Sequence, residues 1–492
     1  MGGYLLKPSL RKELWRTPDL LGFAAHWIWI WCVFWSSLFY GEGALLTSQG
    51  NASATALGAM QLEPLWVVSL SANVVTIAFL LLLSHLRNPL ADVRGLPQLA
   101  AGLTALGTIA ISHQALILVG SAVGVVYLIG SLLTGVGSGI IVVLWAELLA
   151  SLGPQRTVNY SVVSLLIAAL AYLLMQLAPL DAAQLIVAFM PFVSMGCFIH
   201  FKRSIPRPPR AMRNVRVREK PPVRMIVVAV FFGISFGAMK GFIAPVGVDW
   251  IGIRDLLNIV AIAGGALAVF ITMSIYKMDF DHLTYQIALP LIAAGFLFLP
   301  LHEPWNVIGT AVYQFGYQYF YIVLWALWPV LASRGGVPAG WMVGWGLLAI
   351  QLGQFVGSLA ASVSLMFISS DLGMAMLSAC IIFVVLIIAL FAIGNGSAST
   401  GWGFVKPMEE ADATSNFEKA GTRLARRCRL SPREIEVFFL LAKGRNRAFI
   451  REELVIGDET VKSHIKSIYR KTDVHSQQEL IDLIETESQA TT

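Results

Sequence analysis

The sequence predicts an all-α protein in which twelve transmembrane helices, grouped as two six-helix halves, precede a small C-terminal domain of four short helices. Two observations support this prediction. Of the 492 residues, 57% are hydrophobic and only 13% are charged, whereas soluble domains carry roughly 25% charged residues. The composition also changes abruptly after residue 394, where apolar stretches give way to a mixed-charge segment. This balance excludes a soluble enzyme, a disordered regulator and a disulfide-stapled secreted domain.

Twelve stretches are apolar enough to be membrane spans. A transmembrane helix needs about 20 such residues to cross about 30 Å of hydrocarbon. The first six lie near 20–40, 64–86, 97–119, 121–150, 158–180 and 182–201. The second six lie near 224–246, 255–276, 283–301, 305–331, 340–368 and 371–394.

The charges of the loops predict one orientation. Alternate loops are basic, beginning with the N-terminal segment and including the connection 202–224, which holds nine basic residues and one acid. The opposite set of loops is acidic, with Arg254 as its one basic residue. We expect Asp249, Trp250 and Arg254 to be solvated in an outer loop. Because basic loops remain in the cytoplasm, both termini and the central loop are predicted to be cytoplasmic.

Two groups of six spans joined by a long basic loop resemble the major facilitator superfamily, whose halves are pseudo-symmetric repeats. The resemblance implies that spans 1, 4, 7 and 10 line a central cavity. The loop 87–95 has the place and charge of that superfamily's signature loop, but it lacks the usual arrangement of glycine, acid and paired arginines. Topology alone explains Arg87 and Arg94 equally well.

The tail has clear helix signals. Ser431 and Pro432 are typical of a helix start, and Glu434 completes a capping box; Gly444 marks the end of that helix. A second helix is expected over about 446–456, a third after Asp458 and a fourth from Ser476.

The third of these helices has two different faces. Val461, Ile465 and Ile468 recur at helical spacing and face a small core. Lys462, Ser463, Lys466, Ser467 and Arg470 then project outward. A second helix, a tight turn and a third helix with a basic face predict a helix-turn-helix that enters the major groove of DNA.

About 60 residues of the tail resemble the LuxR/GerE-type DNA-binding domain. The matching residues are Leu430-Ser431-Pro432-Arg433-Glu434, Glu436-Val437, Leu441-Ala442, Gly444, Ile450, Leu454, Ile456, Thr460-Val461-Lys462-Ser463-His464-Ile465, Ile468-Tyr469-Arg470-Lys471, Val474, Ser476 and Glu479-Leu480. The resemblance implies that Lys462, Ser463 and Lys466 approach base edges. It places Thr460, Val461, Arg470 and Lys471 near the DNA backbone or the helix start, and it makes the last helix a dimerisation element. Phe449, Arg451 and Glu459 differ from the residues usual in the family.

The membrane half contains polar residues that lipid does not favour. The tenth predicted span is the richest in them, and a ligand-binding face is expected there. The candidate ligand-binding residues are Lys240, Tyr313, Gln314, Tyr317, Gln318, Tyr321, Trp31 and Gln354. An aromatic, amide-rich cavity of this kind suits a flat or phenolic organic ligand. Packing between helices explains the same aromatic residues, and Glu147 and His113 fit internal hydrogen bonding between helices.

The whole arrangement resembles bacterial LuxR-type regulators with a twelve-span, facilitator-like membrane sensor. The resemblance implies a one-component transcription regulator in the bacterial inner membrane, with double-stranded DNA, a small-molecule ligand, the lipid bilayer and a second copy of the chain as partners. A transporter with a regulatory tail remains the alternative. No cofactor fingerprint, metal-ligand spacing or nucleophile arrangement suggests an enzyme. The predicted domains are 1–19, 20–201, 202–224, 225–394, 395–424 and 425–492.

Overall fold

The computed structural model describes residues 20–36, 38–39, 64–84, 90–112, 123–150, 152, 154–204, 223–243, 251–278, 282–298, 300–302, 304–335, 339–367, scattered residues between 373 and 384, 420–442, 444–454 and 456–489. Within these ranges the regular structure is helical and contains no strand, which confirms the all-α prediction. The helices up to Phe367 belong to one compact unit and those from residue 420 onward to a second.

The first unit contains eleven helices in its described residues, one for each of the first eleven predicted spans. In the first half they are α1 (Leu20–Trp35), α2 (Pro64–Ser84), α3 (Leu96–Ser112), α4 (Val123–Ala150), α5 (Pro154–Leu177) and α6 (Leu180–Ser204). In the second half they are α7 (Val223–Ile243), α8 (Ile251–Val269, continued by a π-helical turn Phe270–Ile275), α9 (Leu289–Leu297, preceded by a π-helical turn His282–Ala288), α10 (Trp305–Gly335) and α11 (Ala339–Phe367).

Six of these helices are long and apolar enough to cross a membrane, and four shorter ones are apolar as well. The helix α10, which contains several tyrosines and glutamines, is in neither group. The twelfth predicted span lies almost wholly outside the described residues. The count of twelve therefore stays a prediction.

Glycines set the distance between α7 and α11. A Cβ atom on Gly237 would lie 1.9 Å from the carbonyl oxygen of Gln354, and one on Gly357 would lie 2.0 Å from that of Ile234. Any side chain at these positions would collide with backbone. Such small residues let membrane helices approach closely enough for van der Waals packing to hold them together.

The expectation of a solvated Arg254 is wrong. The helix α8 begins at Ile251, four residues earlier than predicted, so Arg254 and Asp255 fall within its first turns. Arg254 is only 5% exposed, and its guanidinium lies 3.1 Å from the Asp255 carboxylate. Pairing of the two charges offsets the cost of removing them from water. Asp249 and Trp250 lie outside the described residues.

The second unit is a small helical domain with its own core. After a helical segment at 420–427 come α12 (Pro432–Ala442), α13 (Arg447–Leu454), α14 (Asp458–Thr472) and α15 (Gln477–Gln489). The core consists of Val437, Phe438 and Leu441 of α12 packed with buried residues of the other helices. As predicted, Val461 and Ile468 are buried there, with Ile465 partly buried against them. All four predicted tail helices are therefore present.

Candidate ligand cavity and DNA-binding surface

The first unit encloses a cavity between helices of both halves. Residues of α1, α2 and α4 form one part of its wall, and residues of α7, α10 and α11 form the rest. Its volume is about 90 Å³, whereas one buried water needs about 10–15 Å³. The cavity therefore has room for several waters or for a small organic molecule.

Aromatic rings form much of the wall. The rings of Tyr317 and Phe236 stack with their centroids 3.8 Å apart, and Tyr317 continues into Tyr321 at 6.0 Å. The Trp27 ring meets Tyr321 edge-on at 5.5 Å. Because Trp27 lies on α1 and Tyr321 on α10, this contact joins the two halves. The Trp66 indole on α2 donates a hydrogen bond of 3.2 Å to the Ser358 hydroxyl on α11, which joins them a second time.

Six of the eight candidate ligand-binding residues line this cavity, namely Trp31, Gln314, Tyr317, Gln318, Tyr321 and Gln354. The Gln354 amide donates a 2.7 Å hydrogen bond to the Tyr317 hydroxyl and so fixes the ring across the α10–α11 interface. The other two candidates lie outside the wall. The Tyr313 hydroxyl is hydrogen-bonded to Ser235 at 3.1 Å.

Lys240 is buried beside the wall rather than in it. Its ammonium donates a hydrogen bond to the Phe34 carbonyl and lies 4.2 Å from the centre of the Trp35 ring. Phe34 and Trp35 both line the cavity. The cation thus supports wall residues through a carbonyl and a ring face, which together replace part of its hydration.

Sequence reasoning missed several wall residues. Asn73 of α2 carried a signal, since an amide inside an apolar span is expected to face the protein interior; its nitrogen donates to Ser138 at 3.1 Å. Phe236 carried none, because an apolar residue in an apolar helix can face any direction. His26, a histidine within the first predicted span, also lines the cavity.

Glu147 has a local structural partner. Its carboxylate accepts hydrogen bonds from the backbone N–H groups of Leu90 and Ala91, at 3.2 and 2.9 Å. These donors open a short 3₁₀ helix, Leu90–Asp92, between α2 and α3. The expectation of internal hydrogen bonding by Glu147 agrees with this geometry. His113 lies outside the described residues.

In the second unit, Glu434 ties α12 to α14. It closes the predicted capping box, accepting from the Ser431 amide at 2.6 Å while its own N–H donates to the Ser431 hydroxyl at 3.3 Å. It also accepts from Ser467 and Lys471 of α14, each at 2.7 Å. Burial alone raises the pKa of Glu434, but these hydrogen bonds outweigh it and lower the pKa from 4.5 to about 2.

The outer face of α14 presents most of the candidate DNA-binding residues. Thr460, Lys462, Ser463, Lys466 and Arg470 are exposed. The other two candidates serve the domain itself in this structure, since Val461 is in the core and Lys471 pairs with Glu434. Glu459 holds the Lys462 ammonium at 2.6 Å, and this hydrogen bond raises the pKa of Lys462.

A groove beside α14 adds residues that sequence reasoning did not assign. Arg445, Arg447 and His475 line it together with Lys462, Lys466 and Arg470. Arg445 also places its guanidinium 4.9 Å from the centre of the exposed Phe449 ring. Arg447 is the first residue of α13, the supporting helix of the helix-turn-helix, and Arg445 precedes that helix by two residues. Their proximity to α14 depends on tertiary packing, which the local pattern does not reveal.

Comparisons with known proteins agree with both halves of this description. Residues 429–484 match the family "Bacterial regulatory proteins, luxR family". A comparison with curated proteins found no match for the chain.

Among solved structures, a proton:xylose symporter of the major facilitator superfamily is similar at 13% identity, with a TM-score of 0.55, over 77% of this chain and 95% of its own. A bacterial homologue of the iron transporter ferroportin, in an outward-facing state, is similar at 12% identity, with a TM-score of 0.50, over 76% and 96%. The human organic anion transporter MFSD10 is similar at 16% identity, with a TM-score of 0.49, over 75% and 97%. At these identities the likeness concerns the fold. The chain thus joins a membrane bundle of the major facilitator fold to a helix-turn-helix DNA-binding domain of the luxR family.

Proposed function

We propose that the chain is a membrane-anchored, one-component transcription regulator. A small molecule, aromatic or otherwise planar, binds in the cavity of the first unit, and its binding changes how the luxR-type domain engages DNA. The observation that carries this proposal is a DNA-binding domain on the same chain as a helical bundle with an aromatic, amide-lined cavity. The ligand must favour one conformation of the bundle over another, because binding without such preference shifts nothing.

The luxR match and the exposed basic face of α14 support the DNA-binding role. Lys462, Ser463 and Lys466 are proposed to approach base edges in the major groove, where lysine donates to guanine O6 and N7. Thr460, Arg470 and the neighbouring Arg445 and Arg447 are proposed to lie along the phosphates.

This role is tested in a deletion strain complemented with wild-type chain, Lys462→Ala or Lys466→Ala, by transcript profiling together with retention of operator DNA by the purified proteins. We expect each variant to lose specific retention of operator DNA while its amount in the membrane is unchanged. Operator binding at wild-type strength by both variants contradicts the assignment of α14 as the recognition helix.

The ligand-binding role rests on the wall of the cavity. We propose that Trp31, Gln314, Tyr317, Gln318, Tyr321 and Gln354 contact the ligand. We propose that Lys240 and Tyr313 do not contact the ligand themselves. Instead, Lys240 supports the ring of Trp35, and Tyr313 is held by Ser235 behind the wall.

The basic loops support an orientation with both termini on the cytoplasmic side of the inner membrane. This is also the side on which DNA lies. Reporter fusions at residues 12 and 492 test it, since a cytoplasmic reporter should be active at both.

We further propose that a DNA-bound homodimer forms through α15, which cross-linking of membranes with and without operator DNA would detect.

A second candidate function is transport, which the fold of the first unit favours, because the proton:xylose symporter shares it. Uptake of a candidate compound into proteoliposomes separates the two functions. Accumulation against a gradient supports a transporter with a regulatory tail, whereas saturable binding without accumulation supports a sensor.

A further inference from the structure

The wall of the cavity carries no formal charge. Among the described residues that line it there is no Asp, Glu, Lys or Arg. Lys240 does not change this, because its ammonium is directed to the Phe34 carbonyl and the Trp35 ring. A charged ligand entering this space would lose its hydration without gaining an opposite charge, and that exchange is strongly unfavourable.

Within the described part of the chain, the same wall retains polar atoms that have no hydrogen-bond partner. They are both ring nitrogens of His26, the Trp27 indole nitrogen, Asn73 Oδ1, Gln318 Nε2 and Gln351 Oε1. His26, Trp27, Asn73 and Gln318 are each less than a tenth exposed. Buried polar groups are normally paired, so the residues of this wall have hydrogen-bonding capacity that they do not satisfy among themselves.

The unpaired atoms include both hydrogen-bond donors and acceptors, and they come from both halves of the bundle. Trp27 and Gln318 offer N–H donors, whereas Asn73 and Gln351 offer carbonyl acceptors. Trp27 and Asn73 lie on α1 and α2 of the first half, and Gln318 and Gln351 lie on α10 and α11 of the second. The flat faces of Tyr317 and Tyr321 lie in the same wall.

We infer that the ligand is an uncharged, planar molecule of about one ring that carries both a hydrogen-bond donor and an acceptor, as an aromatic amide does, and that it binds both halves of the bundle at once. The inference rests on the proposed ligand-binding role of the cavity and narrows it to one chemical class. A ligand bonded to α1 and α2 on one side and to α10 and α11 on the other stabilises the conformation in which the halves are closed around it. Binding is thereby coupled to the relative position of the halves.

Four probes built on one ring separate the possible chemistries. Benzamide is neutral with donor and acceptor, benzoate is an anion, benzylamine is a cation at neutral pH and toluene has no polar group. Full-length protein in lipid nanodiscs is titrated with each, and binding is followed through the fluorescence of its 14 tryptophans and through thermal unfolding. We expect benzamide to bind at least about tenfold more tightly than each of the others, the ratio that the loss of one buried hydrogen bond gives.

Variants locate the bound probe. Gln318→Leu and Gln351→Leu should each weaken benzamide binding about tenfold. Gln176→Leu on α5, outside the cavity wall, should leave it unchanged. The probe series on the wild-type chain gives an answer even if one variant fails to fold.

Several outcomes overturn the inference. They are equal binding of benzoate, benzylamine or toluene, absence of binding by all four probes at millimolar concentration, and wild-type affinity in both leucine variants. These results differ from failure of the proposed function. Benzamide binding without any effect on transcription removes the regulator but keeps this ligand class, whereas transcription that responds only to a charged compound keeps the regulator and removes the ligand class.

Discussion

At the scale of single residues, Glu434 of the second unit is hydrogen-bonded to three other residues, Ser431, Ser467 and Lys471. One buried carboxylate caps α12 through Ser431 and anchors α14 through Ser467 and Lys471. Hydrogen bonds to a charged group each stabilise a fold by about 1.5–3 kcal/mol net. The orientation of α14 therefore depends on one buried residue of α12.

Glu434→Gln should lower the free energy of unfolding of the fragment 408–492 by about 1.5–3 kcal/mol at pH 7. Among the described residues, the core of the second unit is formed by residues between 420 and 484, so the fragment is expected to fold alone. The folded pKa of Glu434, about 2, lies below the unfolded value of 4.5. Its stabilisation is hence fully present above about pH 4.5 and is lost as the pH falls through about 2. Urea unfolding between pH 7 and pH 2 measures this.

Glu436→Gln is the matched control, because Glu436 lies on the same helix but is exposed and pairs with Arg433 at the surface. It should change the unfolding free energy by less than about 1 kcal/mol. Equal losses in the two variants, or a gap between Glu434→Gln and wild type that does not close at low pH, would show that the Glu434 network is not the anchor.

Glu459 is a second residue with a testable effect. It is almost fully exposed and holds Lys462, the residue proposed to read guanine. Glu459→Gln should tighten binding of the fragment to operator DNA, up to about fivefold at low salt. In the wild-type domain Lys462 has to break its ion pair with Glu459 before it contacts a base, whereas the variant lacks that ion pair. Fluorescence anisotropy at several salt concentrations measures this, with Glu485→Gln on α15 as control. Weaker binding would instead indicate that Glu459 itself accepts a hydrogen bond from cytosine.

The sequence predicted the contacts of Glu434 within its own helix but not its contacts with another helix. The spacing of Ser431, Pro432 and Glu434 was enough to place a capping box, because all its atoms lie within one turn. The bonds from Ser467 and Lys471 to Glu434 cross from one helix to another, so no local pattern contains them. For the same reason Lys471 was assigned to DNA although its ammonium binds Glu434.

At the scale of helices, α7 and α11 set the geometry of the second half. Their glycines allow the backbones to touch, and this contact positions Gln351 and Gln354 of α11 against the cavity. Lipid supplies no hydrophobic drive for helix association, so close packing has to supply the stabilisation.

Gly237→Ala should destabilise the bundle by about 1–3 kcal/mol, the usual cost of overpacking. The added methyl would meet the Gln354 carbonyl and push the two helices apart. Thermal unfolding in detergent, followed by size-exclusion chromatography, measures the loss. Gly196→Ala on α6 is the control, because a Cβ there meets nothing within 4 Å. A melting temperature equal to that of the control would contradict this role for Gly237.

Helix boundaries show where hydropathy loses its predictive force. Apolar length predicted the eleven described helices of the first unit, because a helix that crosses lipid has to be apolar along most of its length. It started α8 too late, because Arg254 and Asp255 read as solvated residues and their mutual neutralisation inside the bundle is a property of the fold. The aromatic and amide face of α10 was predictable from helical spacing, whereas Phe236 on α7 was not.

At the scale of the whole molecule, the proposed regulator requires that ligand binding in the cavity change DNA binding by a domain that contributes no residue to the cavity. Tyr317 is well suited to test this, because it contacts Phe236 of α7 and Gln354 of α11 as well as the cavity. It lies outside the fragment 408–492, so its replacement leaves the chemistry of the DNA-binding surface untouched.

Tyr317→Leu in the full chain should alter transcript levels of the genes whose promoters the fragment 408–492 binds, while wild-type and variant chains reach the membrane in equal amounts. Loss of the hydroxyl bond and of the stacked ring should shift the response to an inducing compound by about tenfold or more. Tyr276→Leu is the matched control, because Tyr276 is 71% exposed at the end of α8. Transcripts that follow wild type in Tyr317→Leu under every condition, while Lys466→Ala abolishes regulation, would mean that the membrane unit only anchors the DNA-binding domain. A shift in Tyr317→Leu alone requires that a change in the first unit alter the action of the DNA-binding domain, because Tyr317 lies outside that domain.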